Sequence, residues 1–206
     1  MKKIVLFRHL PTIDDDSDIY TSNNSEVKFI PLRNDLILNG QSQLIRFLRE
    51  NNIKQIFCSD NNRGIETANI LFKDLPIKLN IEIDRGLNNI LQPEWGGLHQ
   101  NEVKKTELYK IWHSYPKEVN FLNGESLADV ELRVDKLLKK IDPNGAILIS
   151  HTTPMQVILC KILELDLNRI WAFKFNHYNF TVLANNILLK YNSMELNDID
   201  FNQLRF

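Results

Sequence analysis

Short apolar runs that end abruptly at polar residues are the most regular feature of the chain. Runs of this length, bounded by glycine, asparagine, serine or charged residues, are typical of buried strands rather than helices. The last two runs flank Asn185-Asn186, which suits a two-residue hairpin turn. The predicted strands, in chain order, are residues 3–7, 53–58, 77–83, 146–150, 180–184 and 187–190.

Between these strands, apolar residues recur at the spacing of a helix. Asp60 or Asn61 caps the second predicted helix, and the 126–129 segment resembles a capping box. Pro154 suits a first helical turn, whereas residues 13–35 are polar and predict a long loop. Because strands alternate with helices, we expect an α/β fold with a mostly parallel sheet flanked by helices on both faces. The predicted helices are residues 40–50, 61–72, 100–113, 127–141 and 154–164.

Composition and charge narrow the class of protein. The chain has 206 residues, of which 43% are hydrophobic, and this is enough for one domain spanning residues 1–206. A formal net charge of −1 gives no basis for a polyanionic partner such as nucleic acid. No run of about 18 apolar residues occurs, so we expect no membrane span. Cys58 and Cys160 lie in apolar runs and are interpreted as reduced core residues, which favours a cytoplasmic protein.

Three of the predicted strands end at side chains suited to phosphate chemistry. Arg8 and His9 follow the first strand, His151 follows the fourth, and Arg63 lies one helical turn beyond the second. The carboxyl ends of parallel strands meet at one edge of a sheet, where ligands bind. Two guanidinium groups match the oxygens of a phosphate, and a histidine held beside them is a candidate nucleophile. An Arg-His pair alone is typical of an exposed strand end, but its recurrence favours a shared pocket.

Four segments of the chain, in order, resemble the motifs of a known family. Residues 6–12 resemble apolar-apolar-Arg-His-Gly-x-Thr, and residues 59–68 resemble Ser-Asp-x-x-Arg-x-x-x-Thr-Ala. Residues 123–129 contain Gly-Glu-Ser, and residues 149–151 are similar to Val-Ser-His. These are the motifs of the histidine phosphatase superfamily, in its phosphoglycerate-mutase-like branch. The chain therefore resembles that family over nearly its whole length.

The resemblance implies a three-layer fold with a small cap inserted at residues 85–123. It also implies a phosphomonoester hydrolase that acts on a small phosphorylated metabolite through a phosphohistidine on His9. Arg8 and Arg63 would bind the phosphoryl group, and His151 would complete the pocket. No cofactor or metal is expected, because the arginines supply the positive charge. Neither Cys-x-x-Cys nor His-Glu-x-x-His occurs in the chain.

The proton donor is where the sequence departs from the family. Asn89 stands where the family has a glutamate, and an amide cannot supply a proton at neutral pH. Glu94 is the nearest carboxylate in sequence and is our expected catalytic acid, although a solvated loop charge explains it equally well. Otherwise another carboxylate or water donates the proton, or the enzyme is slow. We expect Asn89, together with Thr12 and Thr152, to bind substrate.

Two further departures concern the loop after His9. Leu10 replaces the family's glycine, which predicts a narrower pocket entrance or a different backbone. Asp15 stands where the family often has asparagine, within the run 14–16, which we interpret as a solvated acidic loop. If that run lined the mouth of the pocket, the substrate's distal part would be neutral or positive.

Several interpretations remain open at this stage. The main alternatives to a hydrolase are a phosphoglycerate-mutase-like phosphotransferase and a catalytically impaired protein that binds phospholigands. A homodimer is compatible with the sequence. The loop containing His177 is placed to reach the rim of the site. The other residues interpreted as surface, core or cap packing are His99, His113, Trp95, Trp112 and Trp171.

Overall fold

The sheet has a parallel centre and an antiparallel edge. The structure, a computed structural model, describes residues 2–20, 28–72, 75–196 and 199. The strand order is β3-β2-β4-β1-β5-β6, in which β1, β2, β3 and β4 are parallel and β5 and β6 run antiparallel to their neighbours. The prediction of a mostly parallel α/β sheet is therefore confirmed. The strands are β1 Lys3–Arg8, β2 Gln55–Cys58, β3 Asn80–Ile83, β4 Gly145–Ser150, β5 Phe180–Ala184 and β6 Ile187–Ser193.

Helices cover both faces of the sheet. Alternate residues of β1 show the two cores: Val5 packs in one apolar cluster with the helices of residues 34–50 and 62–72, whereas Leu6 packs in the other with the helices of residues 127–140 and 152–162. β4 is buried along its whole length, as expected for a central strand covered on both faces. The helices are α1 Ile13–Asp16, α2 Asn34–Glu50, α3 Asn62–Phe72, α4 Gln100–Val103, α5 Glu107–Ser114, α6 Leu127–Lys140 and α7 Thr152–Ile162. None of the helices in the described ranges is both long and apolar enough to cross a membrane.

Two predicted helix boundaries were wrong. α2 begins at Asn34 rather than at Gly40, and the glycine lies inside the helix, where a Cβ would come within 3.7 Å of Phe180. The predicted helix 100–113 is two helices, because Thr106 accepts a hydrogen bond from the backbone of Tyr109 and begins α5.

The loop predicted over residues 13–35 also differs from the structure. Residues 13–16 form the short helix α1, and residues 21–27 lie outside the described residues. β3 is shorter than predicted, because Ile77 packs against the core without pairing in the sheet. The capping box is confirmed, since Ser126 and Asp129 bond each other's backbone at the start of α6.

The segment 85–123 joins the same core as α6 and α7. It consists of α4, α5 and three short 3-10 turns. Trp95, Trp112 and Phe121 are each about 2% exposed and pack together, with ring centroids 4.8 Å apart for Trp95 and Phe121. The segment is therefore anchored by its aromatic side chains, and its role as a cap stays a prediction.

Gly145 is the position in the fold where we expect a single methyl group to be most damaging. Its φ is +108°, and a Cβ would overlap the carbonyl oxygen of Lys3 on the paired strand β1. Gly145→Ala should therefore lower the free energy of unfolding by about 2 kcal/mol or more, measured by urea denaturation. The matched control is Gly96→Ala, because Gly96 has a φ of −58° and a Cβ there would meet no atom closer than 3.5 Å. Equal stability of the two variants would contradict this account of Gly145.

Candidate active site

The four residues predicted at strand ends line one pocket of about 400 Å³. Arg8 ends β1 and His9 follows it, Arg63 lies in the first turn of α3, and His151 is the N-cap of α7. The rings of His9 and His151 have centroids 4.9 Å apart. The structure thus brings these side chains together at the carboxyl ends of parallel strands, as the sequence predicts.

His9 is held in one tautomer. Its Nδ1 lies 2.8 Å from the carbonyl oxygen of Leu10, which can only accept, so Nδ1 carries the proton and donates it. Burial, followed by the charges of Arg8 and Arg63, holds the pKa of His9 well below its usual value. The ring is therefore neutral at pH 7, and Nε2 has the free electron pair that a nucleophile needs.

Leu10 does not narrow the pocket. It is fully buried, packs in the core cluster of α2 and α3, and has no positive φ that would require glycine. Its backbone N–H donates to Thr67 Oγ1 at 2.9 Å, which fixes the turn after His9. The expectation of a narrower entrance was wrong, because the leucine side chain lies in the core and is not part of the pocket wall.

His151 is bonded through both ring nitrogens. Its Nδ1 accepts from Arg63 Nε at 3.2 Å, so its Nε2 donates to Ser59 Oγ at 2.9 Å. Burial, Arg63 and His9 all hold the pKa of His151 well below its usual value. The neutral His151 ring therefore positions the Arg63 guanidinium within the pocket. Sequence reasoning did not identify Ser59 as its partner, although the residue opens the second motif.

Asp15 is part of the site. Its Oδ1 accepts from Arg8 Nη2 at 2.6 Å, and its Oδ2 accepts from the backbone N–H of Thr12 at 2.9 Å and from Thr12 Oγ1 at 2.7 Å. Burial alone would raise the pKa of Asp15, but the nearby His177 imidazole and the charge of Arg8 hold it well below its usual value. The interpretation of Asp15 as part of a solvated loop was wrong, because Arg8 draws the carboxylate into the pocket.

His177 contacts both His9 and Asp15 without lining the pocket. Its Nδ1 donates to the carbonyl oxygen of His9 at 2.6 Å, and its Nε2 lies 3.6 Å from Asp15 Oδ1. The loop before β5 therefore reaches the site, as its place in the sequence suggested. His177 contacts the backbone of the candidate nucleophile and does not itself line the pocket.

The remaining predicted site residues divide into two groups. Asn89 and Thr152 line the pocket, whereas Thr12 is buried, is not among the lining residues, and donates to Asp15, which does line the pocket. Glu94 is exposed, is not among the residues that line the pocket, and accepts from the backbone N–H of Leu122 at 3.1 Å. The 3-10 turn that contains Glu94 buries Trp95 instead. This geometry does not favour Glu94 as the proton donor.

The far wall of the pocket is aromatic and neutral. Sequence reasoning did not place the side chains of this far wall in the site, because they are far apart along the chain and no sequence spacing links them. Beyond Arg8 and Arg63, the lining in the described part of the chain contains no other lysine or arginine, and Asp15 is its one carboxylate. The far-wall side chains are Tyr20, Gln92, Gln100, Tyr109, Trp112 and Trp171.

A buried, neutral histidine that shares a pocket with two guanidinium groups, at the carboxyl ends of parallel strands, suits the binding of a phosphoryl group. The chain belongs to the histidine phosphatase superfamily (branch 1), whose sequence profile matches residues 38–186. The matched region includes Arg63 and His151 and begins after His9. The likeness of residues 6–12 to the family's first motif is therefore read from the sequence and is not part of this match.

Named relatives agree with this assignment. Phosphoserine phosphatase 1 of Hydrogenobacter thermophilus is 33% identical over 122 residues, which cover 54% of this chain and 54% of the relative. The chain thus matches about half the length of that relative. Among solved structures, the alpha-ribazole phosphatase of Shigella flexneri superposes with a TM-score of 0.77 at 16% identity, covering 96% of this chain and 100% of that one. A mycobacterial glucosyl-3-phosphoglycerate phosphatase gives 0.75 at 18% identity, covering 94% and 100%. At these identities the two structures show the same fold.

Proposed function

We propose that the protein is a phosphomonoester hydrolase that acts through a phosphohistidine on His9. The observation that supports this best is the fixed tautomer of His9, whose Nε2 is left as the free ring nitrogen in a pocket shared with Arg8 and Arg63. The phosphatase names of the relatives point in the same direction.

The proposed reaction has two steps. First, His9 Nε2 attacks phosphorus, the bond to the substrate oxygen breaks, and that oxygen takes up one proton from the solvent or the site, so that the alcohol leaves. Water then attacks the phosphohistidine and gives up one proton, the P–N bond breaks, and inorganic phosphate leaves with His9 neutral again. Arg8 and Arg63 neutralise the phosphoryl oxygens in both steps, and the neutral His151 holds Arg63 in position.

The pocket wall suggests the class of substrate. In this proposal Arg8 and Arg63 both bind the phosphoryl group, and the described lining has no third guanidinium or ammonium group to bind a second anion. The far wall offers aromatic faces and amide groups instead, and we propose that Asn89 and Thr152 also contact substrate. The proposed substrate is therefore a small phosphorylated metabolite whose alcohol part is uncharged or positive. The segment 85–123, which supplies much of this wall, would act as the selective cap.

Glu94 provides a sharp test of the proton donor. Because its carboxylate bonds Leu122 outside the pocket, we expect Glu94→Gln to change turnover by less than about twofold. The effect should be equally small for p-nitrophenyl phosphate and for a sugar phosphate, whose leaving group is the stronger base. Glu118→Gln, at an exposed position on another 3-10 turn, is the matched control. A loss confined to the sugar phosphate would restore Glu94 as the acid.

Steady-state hydrolysis of p-nitrophenyl phosphate in the presence of EDTA tests the proposed function. We expect measurable release of nitrophenolate without any divalent ion. Phosphate binding without turnover would favour the impaired, phospholigand-binding alternative, which Asn89 motivates. Conversion of phosphoglycerate isomers would favour a mutase. A screen of phosphorylated metabolites would then identify the substrate.

The cytoplasmic location and the homodimer both stay predictions.

A further inference from the structure

The Asp15 carboxylate is bonded to Arg8, the residue that would bind a phosphoryl group in the proposed function. Asp15 Oδ1 accepts a hydrogen bond from Arg8 Nη2, and the carbonyl oxygen of Phe175 accepts one from Arg8 Nη1 at 3.2 Å. Among the described residues, Arg8 Nε has no hydrogen-bond partner, although it is buried. A phosphoryl group bound by Arg8 would therefore lie beside the Asp15 carboxylate.

Asp15 is not free to swing away when an anion arrives. Its Oδ2 is held by both the N–H and the hydroxyl group of Thr12, and the carboxylate sits in the first turn of α1. Moving it would break these two hydrogen bonds as well as the ion pair with Arg8. Two anions held this close repel each other, and a shared proton removes that repulsion.

In the described part of the chain, the ionisable groups that interact with Asp15 are arginines and histidines, and the nearest acidic residue in sequence is Asp14. Arg8 and His9 face it from the end of β1, and His177 faces it from the loop before β5. Among the described residues, the titratable groups that interact electrostatically with Asp15 are Arg8, His9, Arg63 and His177, and Asp14 precedes it in sequence.

We propose that the phosphoryl group binds this site together with one proton, which is shared between Asp15 and a phosphoryl oxygen. The inference rests on the proposed function, because it concerns the same phosphoryl site. In the free protein Asp15 is ionised, so the bound state holds one more proton than the free state does. Binding must then weaken as pH rises.

This proton also addresses the missing family glutamate. Asn89 lines the pocket but cannot donate a proton at neutral pH, and Asp15 is the one carboxylate in the described lining. A proton that enters with the phosphoryl group lies next to the reacting atoms. Asp15 is thus assigned as the residue that couples phosphoryl binding to proton uptake.

Titration calorimetry with inorganic phosphate at about pH 8 tests this coupling directly. Phosphate is then mostly dianionic, and measurements in two buffers of different ionisation enthalpy count the protons taken up. We expect the wild type to take up one proton per phosphate bound. Asp15→Asn should take up none and should bind phosphate roughly tenfold more tightly at this pH, since one repulsive charge is gone. Asp16→Asn, which removes an exposed charge next in sequence, should behave as the wild type.

Each alternative outcome overturns the inference. Phosphate binding by the wild type without proton uptake would overturn it and leave the proposed function standing. Undiminished uptake in Asp15→Asn would place the proton on another group. Failure of the wild type to bind phosphate would overturn this inference and would also count against the proposed function. Turnover of p-nitrophenyl phosphate would then show whether the proposed function still holds. The wild-type proton count does not depend on whether any variant folds.

Discussion

Replacing His9 by alanine is expected to reduce turnover of p-nitrophenyl phosphate by at least about a thousandfold, because it removes the group that accepts the phosphoryl. His9 is 4% exposed, and its Nδ1 is committed to the Leu10 carbonyl, so Nε2 is the ring nitrogen that we expect to accept the phosphoryl group. The measurement is kcat/KM under conditions in which the wild type is active, with circular dichroism to verify folding.

The matched control is His99→Asn, because His99 is exposed, does not line the pocket, and is replaced by a residue that also suits a helix N-cap. It should retain wild-type turnover. A second readout is the covalent intermediate itself: brief exposure to labelled substrate should leave acid-labile phosphate on the wild type and none on His9→Ala. Substantial activity in His9→Ala would show that another group, or water alone, attacks phosphorus.

The pH dependence should carry the signature of the same residue. Burial and two arginines lower the pKa of His9, so the neutral, nucleophilic form persists below the usual value of 6.5. Loss of activity on the acid side of the profile of kcat/KM should therefore begin below pH 6.5.

The sequence predicts the parts of this site that lie at strand ends. Arg8, His9 and His151 each follow an apolar run, and such runs become central strands whose carboxyl ends meet. Arg63 follows from the same logic, one helical turn beyond β2. These inferences need only local pattern and the rule for parallel sheets, which is why they transfer to the structure.

The site residues that were missed depend on long-range contacts. Asp15 has the local sequence of a solvated acidic loop, but its bond to Arg8 and the nearby His177, which is distant in sequence, hold the carboxylate in the site. Trp112 and Trp171 line the pocket as well as packing, with ring centroids 5.6 Å apart, and nothing in their spacing indicates this. Glu94 illustrates the converse case: nearness in sequence to the expected acid position does not place the carboxylate among the pocket lining, because Trp95 is buried and the Glu94 carboxylate bonds Leu122.

Arg63→Ala should weaken the binding of vanadate or phosphate by roughly ten- to a hundredfold. Charge-assisted hydrogen bonds are worth about 1.5–3 kcal/mol each, and that range sets the expected change. Arg63 is 5% exposed and donates to His151, so its guanidinium is held in place before the ligand arrives. Its charge also helps to keep the pKa of His9 low, so the variant should lose turnover in addition to affinity.

Two companion variants separate charge from geometry at position 63. Arg63→Lys keeps a positive charge but loses the planar fork, and its affinity should fall between those of the wild type and Arg63→Ala. Arg46→Ala removes an exposed arginine on α2 that pairs with Glu50, and it should bind the oxyanion as the wild type does. Dissociation constants from isothermal titration, measured at one ionic strength, compare the three variants. An unchanged constant for Arg63→Ala would remove Arg63 from the binding site, and an equal loss in Arg46→Ala would show that only the overall charge of the protein matters.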